Sequence, residues 1–289
     1  MINYVLITPA RNEESFIVKT IESVIVQTRL PKKWIIVSDG STDRTDEIVN
    51  EYMTQYNFIE LLKKKSNEKR NFGSKAKAIS IAYNKLRDLD FEFVGNLDAD
   101  VSFDAKYYEN IFIEFNKNSK LGIAGGIRYD LHDGKFKKLK CAPDSVGGPF
   151  QLFRRECYEE IGGYKPSRFG GIDAMAEISA RMKGWEVKMF PQYKIFHHRQ
   201  TGTAINNVLK QKFRAGLRNY SLGYHPIFLL MRFYKTILLK PYFLGSLIVL
   251  FGYLWGTIRR FQRPVSKQFV RYLRSEQTDK MKSYIGLKD

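Results

Sequence analysis

Short apolar runs alternate with segments of helical periodicity through the first hundred residues, and this alternation restricts the fold more than any other feature of the sequence. Residues 4–8, 34–38, 58–62 and 91–97 are predicted as strands, because apolar and aromatic side chains dominate each run. Strands separated by helices of about 10–15 residues are typical of βαβ units, whose strands run parallel. We therefore predict an α/β fold with a mostly parallel sheet flanked by helices.

The following hundred residues are less regular. Strands are predicted at 122–129 and 186–191, helices at 154–161 and 173–183, and a mobile loop at 135–145. We expect residues 1–200 to form one domain with two halves, 1–100 and 101–200, followed by a basic helical region at 201–289.

The charge of the chain is concentrated towards its C-terminal end. Residues 199–289 contain 17 Lys and Arg against 3 Asp and Glu, whereas residues 1–198 contain 31 against 27. A near-neutral body with a strongly basic tail predicts an anionic partner, either a nucleic acid or an anionic membrane surface. With two cysteines and no signal-peptide pattern at residues 1–5, the chain is expected in a reduced, cytosolic-side setting.

Polar residues follow three of the predicted strands at the point where each strand ends. They are residues 9–13 after the first strand, 39–43 after the second and 98–100 after the fourth. Ligands of parallel α/β sheets bind at the carboxyl ends of the strands. These three segments therefore predict one binding site at one edge of the sheet.

Asp98 and Asp100 leave a predicted strand together, with one residue between them. Two carboxylates in this arrangement can converge on a hard divalent cation such as Mg²⁺ or Mn²⁺, which also binds substrate phosphates. The alternative is a polar turn that binds nothing. The chain has neither the GxxxxGK[ST] pattern of a P-loop nor the GxGxxG of a dinucleotide site, which argues against an ATPase or a dehydrogenase.

Two further aspartates occupy positions suited to binding or catalysis. Asp39 ends the second strand, where it can accept hydrogen bonds from a nucleobase, and residues 40–43 after it form a strand-to-helix turn. Asp173 opens a predicted helix after the glycine-containing segment 169–172. It is either a carboxylate favoured by the helix dipole or a general base toward an acceptor hydroxyl.

Five segments together resemble family 2 glycosyltransferases of the GT-A fold, in order and in spacing, over roughly residues 3–200. They are Thr8–Glu14, Val37–Asp43, Leu97–Asp100, Gly162-Gly163-Tyr164, and Asp173 with Arg181 and Gly184-Trp185. The resemblance implies an inverting transfer of a sugar from a nucleotide-activated donor to an acceptor hydroxyl. It also implies that residues 1–100 are the nucleotide-binding half of the domain and residues 101–200 the acceptor half.

The resemblance assigns donor-binding roles to several residues. Pro9, Arg11 and Glu13 would line the nucleotide pocket, and Asp39 would hold the base. Arg70 and Lys75, in the basic loop predicted at 63–75, are candidates for phosphate contacts, with solvated surface charges as the alternative.

The resemblance also implies a metal site and a catalytic base. Asp98 would lie near the ribose and the metal, and Asp100 would coordinate the Mg²⁺ or Mn²⁺ ion that bridges the diphosphate. Asp173 would deprotonate the acceptor hydroxyl.

Two of these assignments have alternatives. Many members of the family carry a Glu-Asp pair where this chain has Ile172-Asp173, so Glu177, one helical turn further, is the competing base. In the wider GT-A fold a late histidine can complete the metal site, and His197 or His198 would be that residue here, the alternative being a capping or solvent-facing pair.

Residues 241–258 carry no charge and have two contrasting helical faces. One face carries large apolar side chains, namely Leu244, Leu247, Ile248, Phe251, Leu254, Trp255 and Ile258. The other face carries Gly245, Ser246, Gly252 and Gly256, and the Gly252-xxx-Gly256 spacing permits close helix packing.

This segment, with cations on both sides, predicts attachment to an anionic membrane surface at the cytoplasmic face of the cell membrane, either peripheral and monotopic or single-spanning. The soluble alternative is a pair of core helices beneath the sheet. The tail matches no RRM, KH or zinc-finger signature, so we expect no nucleic-acid partner.

The sequence therefore predicts a membrane-associated, metal-dependent glycosyltransferase of cell-surface polysaccharide or glycolipid synthesis. Its donor would be a nucleotide-diphosphate sugar, with a UDP-sugar favoured, and its acceptor would be lipid-linked or a saccharide. The alternatives are a sugar nucleotidyltransferase and a basic protein that binds nucleic acid or membrane without catalysis.

Overall fold

The computed structural model describes residues 2–64, 72–199, 208–236 and 242–284. The chain divides into two compact units. Unit 1 comprises residues 1–166 and 172–201, and unit 2 comprises residues 167–171 and 202–289.

Unit 1 is built on one sheet. Its strands are β1 (Tyr4–Ala10), β2 (Lys33–Asp39), β3 (Ile59–Lys64), β4 (Phe93–Asn96), β5 (Val101–Phe103), β6 (Leu121–His132), β7 (Lys135–Lys138), β8 (Leu152–Arg154) and β9 (Glu186–His197). The order across the sheet is β3-β2-β1-β4-β8-β6-β9-β5, with β7 paired to β6 outside this path.

The sheet is parallel in its first half and mixed in its second. The pairs β1–β2, β2–β3 and β1–β4 are parallel, as the βαβ pattern predicts. Strand β8 then runs antiparallel to both β4 and β6, and β5 runs antiparallel to β9, while β6 and β9 are parallel. The expectation of a mostly parallel sheet therefore holds for the first half alone, because the chain of the second half forms no regular βαβ units.

Helices cover the sheet of unit 1 and make up the described part of unit 2. In unit 1 they are α1 (Ile17–Ile25), α2 (Thr45–Met53), α3 (Phe72–Leu86), α4 (Tyr107–Lys117), α5 (Arg155–Glu160) and α6 (Ile172–Met182). In unit 2 they are α7 (Val208–Leu222), α8 (Pro226–Thr236), α9 (Tyr242–Ile258) and α10 (Lys267–Tyr284). A short 3₁₀ helix, Gly148–Phe150, precedes β8.

The central strands form where the sequence is apolar without interruption. Residues 4–7 of β1 and 34–37 of β2 are fully buried, as expected of strands covered by helices on both faces. The polar atoms among them are paired, since the Trp34 indole Nε1 donates to Thr8 Oγ1 at 2.9 Å. These two strands therefore fix the position of the loops that follow them.

Two segments of the second half differ from their sequence-based predictions. The predicted loop at 135–145 begins as strand β7, because Asp133 and Gly134 both have positive φ (49° and 74°) and close a tight hairpin with β6. Strand β9 continues past Pro191 to His197, since the register of β6 and β9 shifts after Gly125 and accommodates the proline.

In unit 2, helices α7 and α9 pack through glycines. A Cβ placed on Gly252 would lie 2.2 Å from the carbonyl oxygen of Phe213, and one on Gly216 would lie 2.1 Å from that of Val249. The close packing expected from the Gly252-xxx-Gly256 spacing is thus present between these helices, with Gly256 against Tyr220.

The small face of α9 is therefore buried and the large apolar face is not. Phe251, Leu254 and Ile258 are 59%, 56% and 72% exposed. Within the ranges that the structure describes, no helix combines the length and the apolar character needed to cross a membrane.

Candidate functional site

The loops after β1 and β2 are tied to each other by hydrogen bonds. Asn12, in a left-handed conformation (φ 55°), accepts the backbone N–H of Thr42 at 2.9 Å through its side-chain oxygen. The backbone N–H of Glu13 donates to Thr45 Oγ1 at 2.8 Å. These contacts fix the loop from which Arg11 and Glu13 extend.

A cleft lies at the carboxyl ends of β1, β2 and β4, where the sequence analysis predicts a site. It is lined by Pro9, Ala10, Arg11, Glu13, Asp39, Ser74, Lys75, Ala78, Asp98, Ala99, Asp100 and Arg199. Seven of the residues predicted to bind the nucleotide, the diphosphate or the metal are among them, and Arg70, the further candidate for phosphate contacts, lies outside the described residues. The structure thus brings together residues that are separated by up to 91 positions in the sequence.

Cations neutralise the carboxylates of the cleft. Lys64 Nζ lies 2.9 Å from Asp39 Oδ1, because these residues are paired at the ends of β3 and β2. Lys75, in the first turn of α3, places its Nζ 2.6 Å from Asp98 Oδ1. Burial raises the pKa of Asp98, and the positive charge of Lys75 opposes this effect.

Asp100 is buried between two cationic side chains. Its Oδ2 lies 3.0 Å from Arg199 Nε and 3.4 Å from His197 Nε2. Burial alone would raise the pKa of Asp100, but the hydrogen bonds and charges of His197 and Arg199 hold it below its usual value. Arg199 also forms an ion pair with Glu13, so it links the end of β9 to the loop after β1.

His197 lies between two carboxylates. Its Nδ1 is 3.2 Å from Asp130 Oδ1, opposite it on β6, and its Nε2 faces Asp100. Burial lowers the pKa of His197, but the two carboxylates outweigh it and raise the pKa to about 9. His198 points elsewhere, since its Nε2 lies 2.8 Å from Ser102 Oγ.

One oxygen of the Asp100 carboxylate is suited to binding a divalent cation. Asp100 Oδ1 is buried and has no hydrogen-bond partner in the part of the chain that the structure describes. A buried carboxylate oxygen of this kind is a ligand that Mg²⁺ or Mn²⁺ would satisfy. Among the described residues, no group of three or more His, Cys, Asp and Glu side chains could hold a metal ion.

Asp173 does not line the cleft but is connected to it. It is the second residue of α6, is half-buried, and packs against Gly148, where an added Cβ would lie 3.0 Å from Asp173 Oδ2. The Gly148 carbonyl accepts from Asn96 Nδ2 at 2.6 Å, and the Pro149 carbonyl accepts from the backbone N–H of Asp98 at 2.8 Å. The 3₁₀ helix therefore lies between Asp173 and the segment that carries Asp98.

Glu177, the competing base, is occupied by structural hydrogen bonds. Its Oε1 accepts from the Val146 backbone N–H at 2.7 Å and from Gln151 Nε2 at 3.0 Å, and its Oε2 accepts from Ser145 Oγ at 3.0 Å. Burial raises its pKa to about 7, although the hydrogen bond from Val146 opposes the shift. This geometry favours Asp173 over Glu177 as a base, because Glu177 is 5% exposed and holds the segment before Gly148 in place.

Sequence reasoning missed Arg199 and Asp130. Arg199 enters the prediction only as the first residue of the basic tail, and Asp130 directly follows the strand predicted at 122–129. Both come close to Asp100 or His197 through pairings of β9 with β5 and β6, and these pairings leave no local signal in the sequence.

Comparisons with known proteins identify a family and several relatives. The sequence model described as glycosyl transferase family 2 matches residues 5–174. Poly-beta-1,6-N-acetyl-D-glucosamine synthase of Staphylococcus epidermidis is 27% identical over 250 residues, covering 79% of this chain and 56% of the relative. The chain thus spans little more than half the length of that relative.

Two solved structures share the fold. The structure of S. aureus TarS 1–349 in complex with UDP-GlcNAc matches with a TM-score of 0.57 and 16% identity, over 75% of this chain and 65% of that one. The mannosyltransferase PcManGT from Pyrobaculum calidifontis, in complex with GDP-Man and Mn²⁺, matches with a TM-score of 0.57 and 14% identity, over 99% of this chain and 86% of that one. Unit 1 accordingly has an α/β, GT-A-like fold.

The burial of Glu177 predicts a pH-dependent contribution to stability. Since its pKa is about 7 in the folded chain and near 4.5 when exposed, the folded state keeps a proton that the unfolded state releases between these values. This stabilisation is complete below about pH 4.5 and is lost as the pH rises through about 7. We expect the free energy of urea unfolding, relative to Glu177→Gln, to fall by on the order of 3 kcal/mol from pH 4.5 to about pH 8. If the free energies of unfolding of the wild type and Glu177→Gln changed with pH in parallel, this prediction would be contradicted.

Proposed function

Because the chain belongs to glycosyl transferase family 2, we propose that it transfers a sugar from a nucleoside diphosphate sugar to an acceptor hydroxyl. The observation that carries this proposal is the convergence of Pro9, Arg11, Glu13, Asp39, Lys75, Asp98 and Asp100 on one cleft. The family match favours this activity over sugar nucleotidyl transfer and over binding without catalysis.

The donor occupies the cleft with its base towards β2 and its diphosphate towards Asp100. Asp39, at the end of β2, accepts hydrogen bonds from the base, and Pro9 and Arg11 line the same wall. Lys75 and Arg199 carry the positive charge that the diphosphate requires. In the structure both cations are paired with carboxylates, so a bound diphosphate would compete for them.

Asp100 and Asp98 are the residues that would hold Mg²⁺ or Mn²⁺. The buried oxygen of Asp100 that lacks a hydrogen-bond partner among the described residues supports this assignment. A bound divalent cation would offset the negative charge on the diphosphate leaving group. The structure of PcManGT contains Mn²⁺ together with GDP-Man, which is consistent with such a requirement.

Asp173 acts as the general base. Its carboxylate takes the proton of the acceptor hydroxyl while the hydroxyl oxygen forms a bond to the anomeric carbon of the donor sugar. The bond from this carbon to the diphosphate oxygen breaks, and the nucleoside diphosphate leaves with the electron pair. Attack opposite the leaving group inverts the configuration at the anomeric carbon.

A UDP-sugar is the donor that the comparisons favour, with UDP-N-acetylglucosamine the first to test. The TarS structure contains UDP-GlcNAc, and the Staphylococcus epidermidis relative is named for a polymer of N-acetylglucosamine. The acceptor is accordingly a growing saccharide or a lipid-linked sugar of the cell envelope.

Unit 2 docks on an anionic membrane surface at the cytoplasmic face. The outward face of α9 presents Phe251, Leu254 and Ile258, and Arg259 and Arg260 follow directly. Apolar side chains flanked by cations are typical of helices that lie in the membrane interface.

Nucleotide binding tests the donor site. We expect isothermal titration to show that Mn²⁺ strengthens UDP binding to the wild type by about tenfold or more, because the cation links Asp100 to the diphosphate. The gain should vanish in Asp100→Asn and persist in Asp88→Asn, an exposed aspartate outside the cleft. Titration with GDP shows which base the site prefers. If the wild type bound neither UDP nor GDP more tightly in the presence of Mn²⁺, the proposed donor site would be wrong.

Turnover tests the base. We expect Asp173→Asn to lower kcat by about 10²–10⁴-fold without changing the affinity for UDP, because the variant loses proton acceptance but leaves the cleft intact. Glu177→Gln is the matched control and should retain far more activity. A nearly active Asp173→Asn together with an inactive, folded Glu177→Gln would assign the base to Glu177 instead.

Vesicle sedimentation tests membrane docking. The double variant Phe251→Ser/Leu254→Ser should bind vesicles of phosphatidylcholine and phosphatidylglycerol roughly tenfold more weakly, since two exposed apolar side chains no longer enter the interface. The control Leu30→Ser/Ile113→Ser changes two exposed apolar side chains of unit 1 (49% and 45%) and should bind as the wild type does. Equal binding by all three proteins would exclude α9 as the docking surface.

A further inference from the structure

Two neighbouring strands place a cation beside the carboxylate that is proposed to bind the nucleobase. Asp39 is the last residue of β2 and Lys64 is the last residue of β3, and the two lie opposite each other in this parallel pair. Lys64 Nζ is 2.9 Å from Asp39 Oδ1. A hydrogen-bond donor therefore lies directly beside an acceptor that lines the cleft.

The strand geometry determines which of two adjacent lysines makes this contact. Successive side chains of a strand point to opposite faces of the sheet, so Lys63 and Lys64 point to different sides. Lys63 Nζ lies 3.1 Å from Asp46 Oδ2, and its side chain is 63% exposed, whereas that of Lys64 is 25% exposed. The contact with Asp39 thus belongs to Lys64, and Lys63 is a matched control on the same strand.

The order of the strands sets the direction in which a nucleotide meets this pair. The sheet runs β3-β2-β1-β4, and Asp98 follows β4, whereas Asp39 and Lys64 end β2 and β3. In the proposed function the diphosphate lies towards Asp100 and the base towards β2. A base that extends across the sheet from the diphosphate end therefore reaches Asp39 first and Lys64 beyond it.

The two side chains have opposite hydrogen-bonding characters. An ionised carboxylate only accepts hydrogen bonds, and an ammonium only donates them. Asp39 has a second oxygen and Lys64 has three N–H donors, so each can contact the other and still bind a ligand. Asp39 is 7% exposed, so water competes little for its carboxylate. Counted outwards from the ribose, the site offers an acceptor and then a donor.

This order matches some nucleobases and opposes others. Outwards from the ribose, uracil and guanine present a ring N–H and then a carbonyl, which would donate to Asp39 and accept from Lys64. Cytosine and adenine present an unprotonated ring nitrogen and then an amino group, so an acceptor would face an acceptor and a donor would face a donor. Polar groups left unpaired in a buried site weaken binding strongly.

We propose that Lys64, paired with Asp39, determines which nucleobase the donor carries. The pair admits bases with a ring N–H followed by a carbonyl and rejects bases with an amino group in the carbonyl position. The inference rests on the proposed donor site and deepens it, since Asp39 alone could also accept from the amino group of cytosine. A lysine that only neutralised Asp39 would affect the binding of all nucleotides alike.

The test is calorimetric titration of the full chain with UDP and CDP in the presence of Mn²⁺. These nucleotides have bases of equal size, so their difference reports the hydrogen-bonding edge. We expect the wild type to bind UDP at least about tenfold more tightly than CDP. Lys64→Met should reduce this preference at least about threefold, because UDP loses a donor and the amino group of CDP no longer faces an ammonium. Lys63→Met makes the same chemical change on the exposed side and should keep the preference within about twofold.

Three outcomes would overturn the proposal. Equal binding of UDP and CDP by the wild type would show that the pair does not distinguish bases, and the donor site would still stand. A preference that Lys64→Met leaves unchanged, or that both variants reduce equally, would remove Lys64 from base selection. If the wild type bound neither nucleotide, the donor site itself would be wrong, and this inference with it. Melting curves without ligand establish that both variants are folded, and the comparison of UDP with CDP needs only the wild type.

Discussion

The burial of the Asp100 carboxylate is the constraint on which the candidate site depends. A carboxylate withdrawn from water must be matched by cations and hydrogen-bond donors if it is to keep its charge. Arg199 and His197 supply this match, and they reach Asp100 because β5 and β9 pair with Val101 opposite His197. Since Arg199 also contacts Glu13, the same requirement couples the last strand of the sheet to the loop after the first.

The two sides of the site are held by different interactions. On the side of the cleft, ion pairs such as Lys75–Asp98 dominate. On the other side, α6 presents Asp173, Glu177 and Arg181 at intervals of four residues along one face. Glu177 binds Val146, and Arg181 donates to the Asp144 carbonyl at 3.1 Å, so buried hydrogen bonds fix the segment next to Asp173. Ion pairs thus hold the side chains of the cleft, while hydrogen bonds hold the segment beside the proposed base.

The parts of the structure that could be predicted from the sequence are those with short-range signals. Asp39 and Asp98 could be placed at one edge of the sheet because each follows an apolar run within a repeating βαβ pattern. The mixed second half of the sheet could not be predicted. Pro191 interrupts the apolar run of β9, and the strand continues past it because its register against β6 is irregular there. Arg199 escaped prediction for the same reason, since its proximity to Asp100 depends on a pairing between residues about a hundred positions apart. The roles assigned to individual site residues stay predictions.

The packing of α9 on α7 has a consequence for how this region can vary during evolution. On the inner face, at Gly216 and Gly252, a single added carbon would collide with backbone atoms, so shape alone decides which residue is allowed. On the outer face, at positions such as Leu254 and Ile258, the side chains are exposed and fit no partner within the described part of unit 2, so total apolar area is the constraint. Glycine should therefore be retained at the inner positions of related chains, while leucine, isoleucine, phenylalanine and tryptophan replace one another freely at the outer ones.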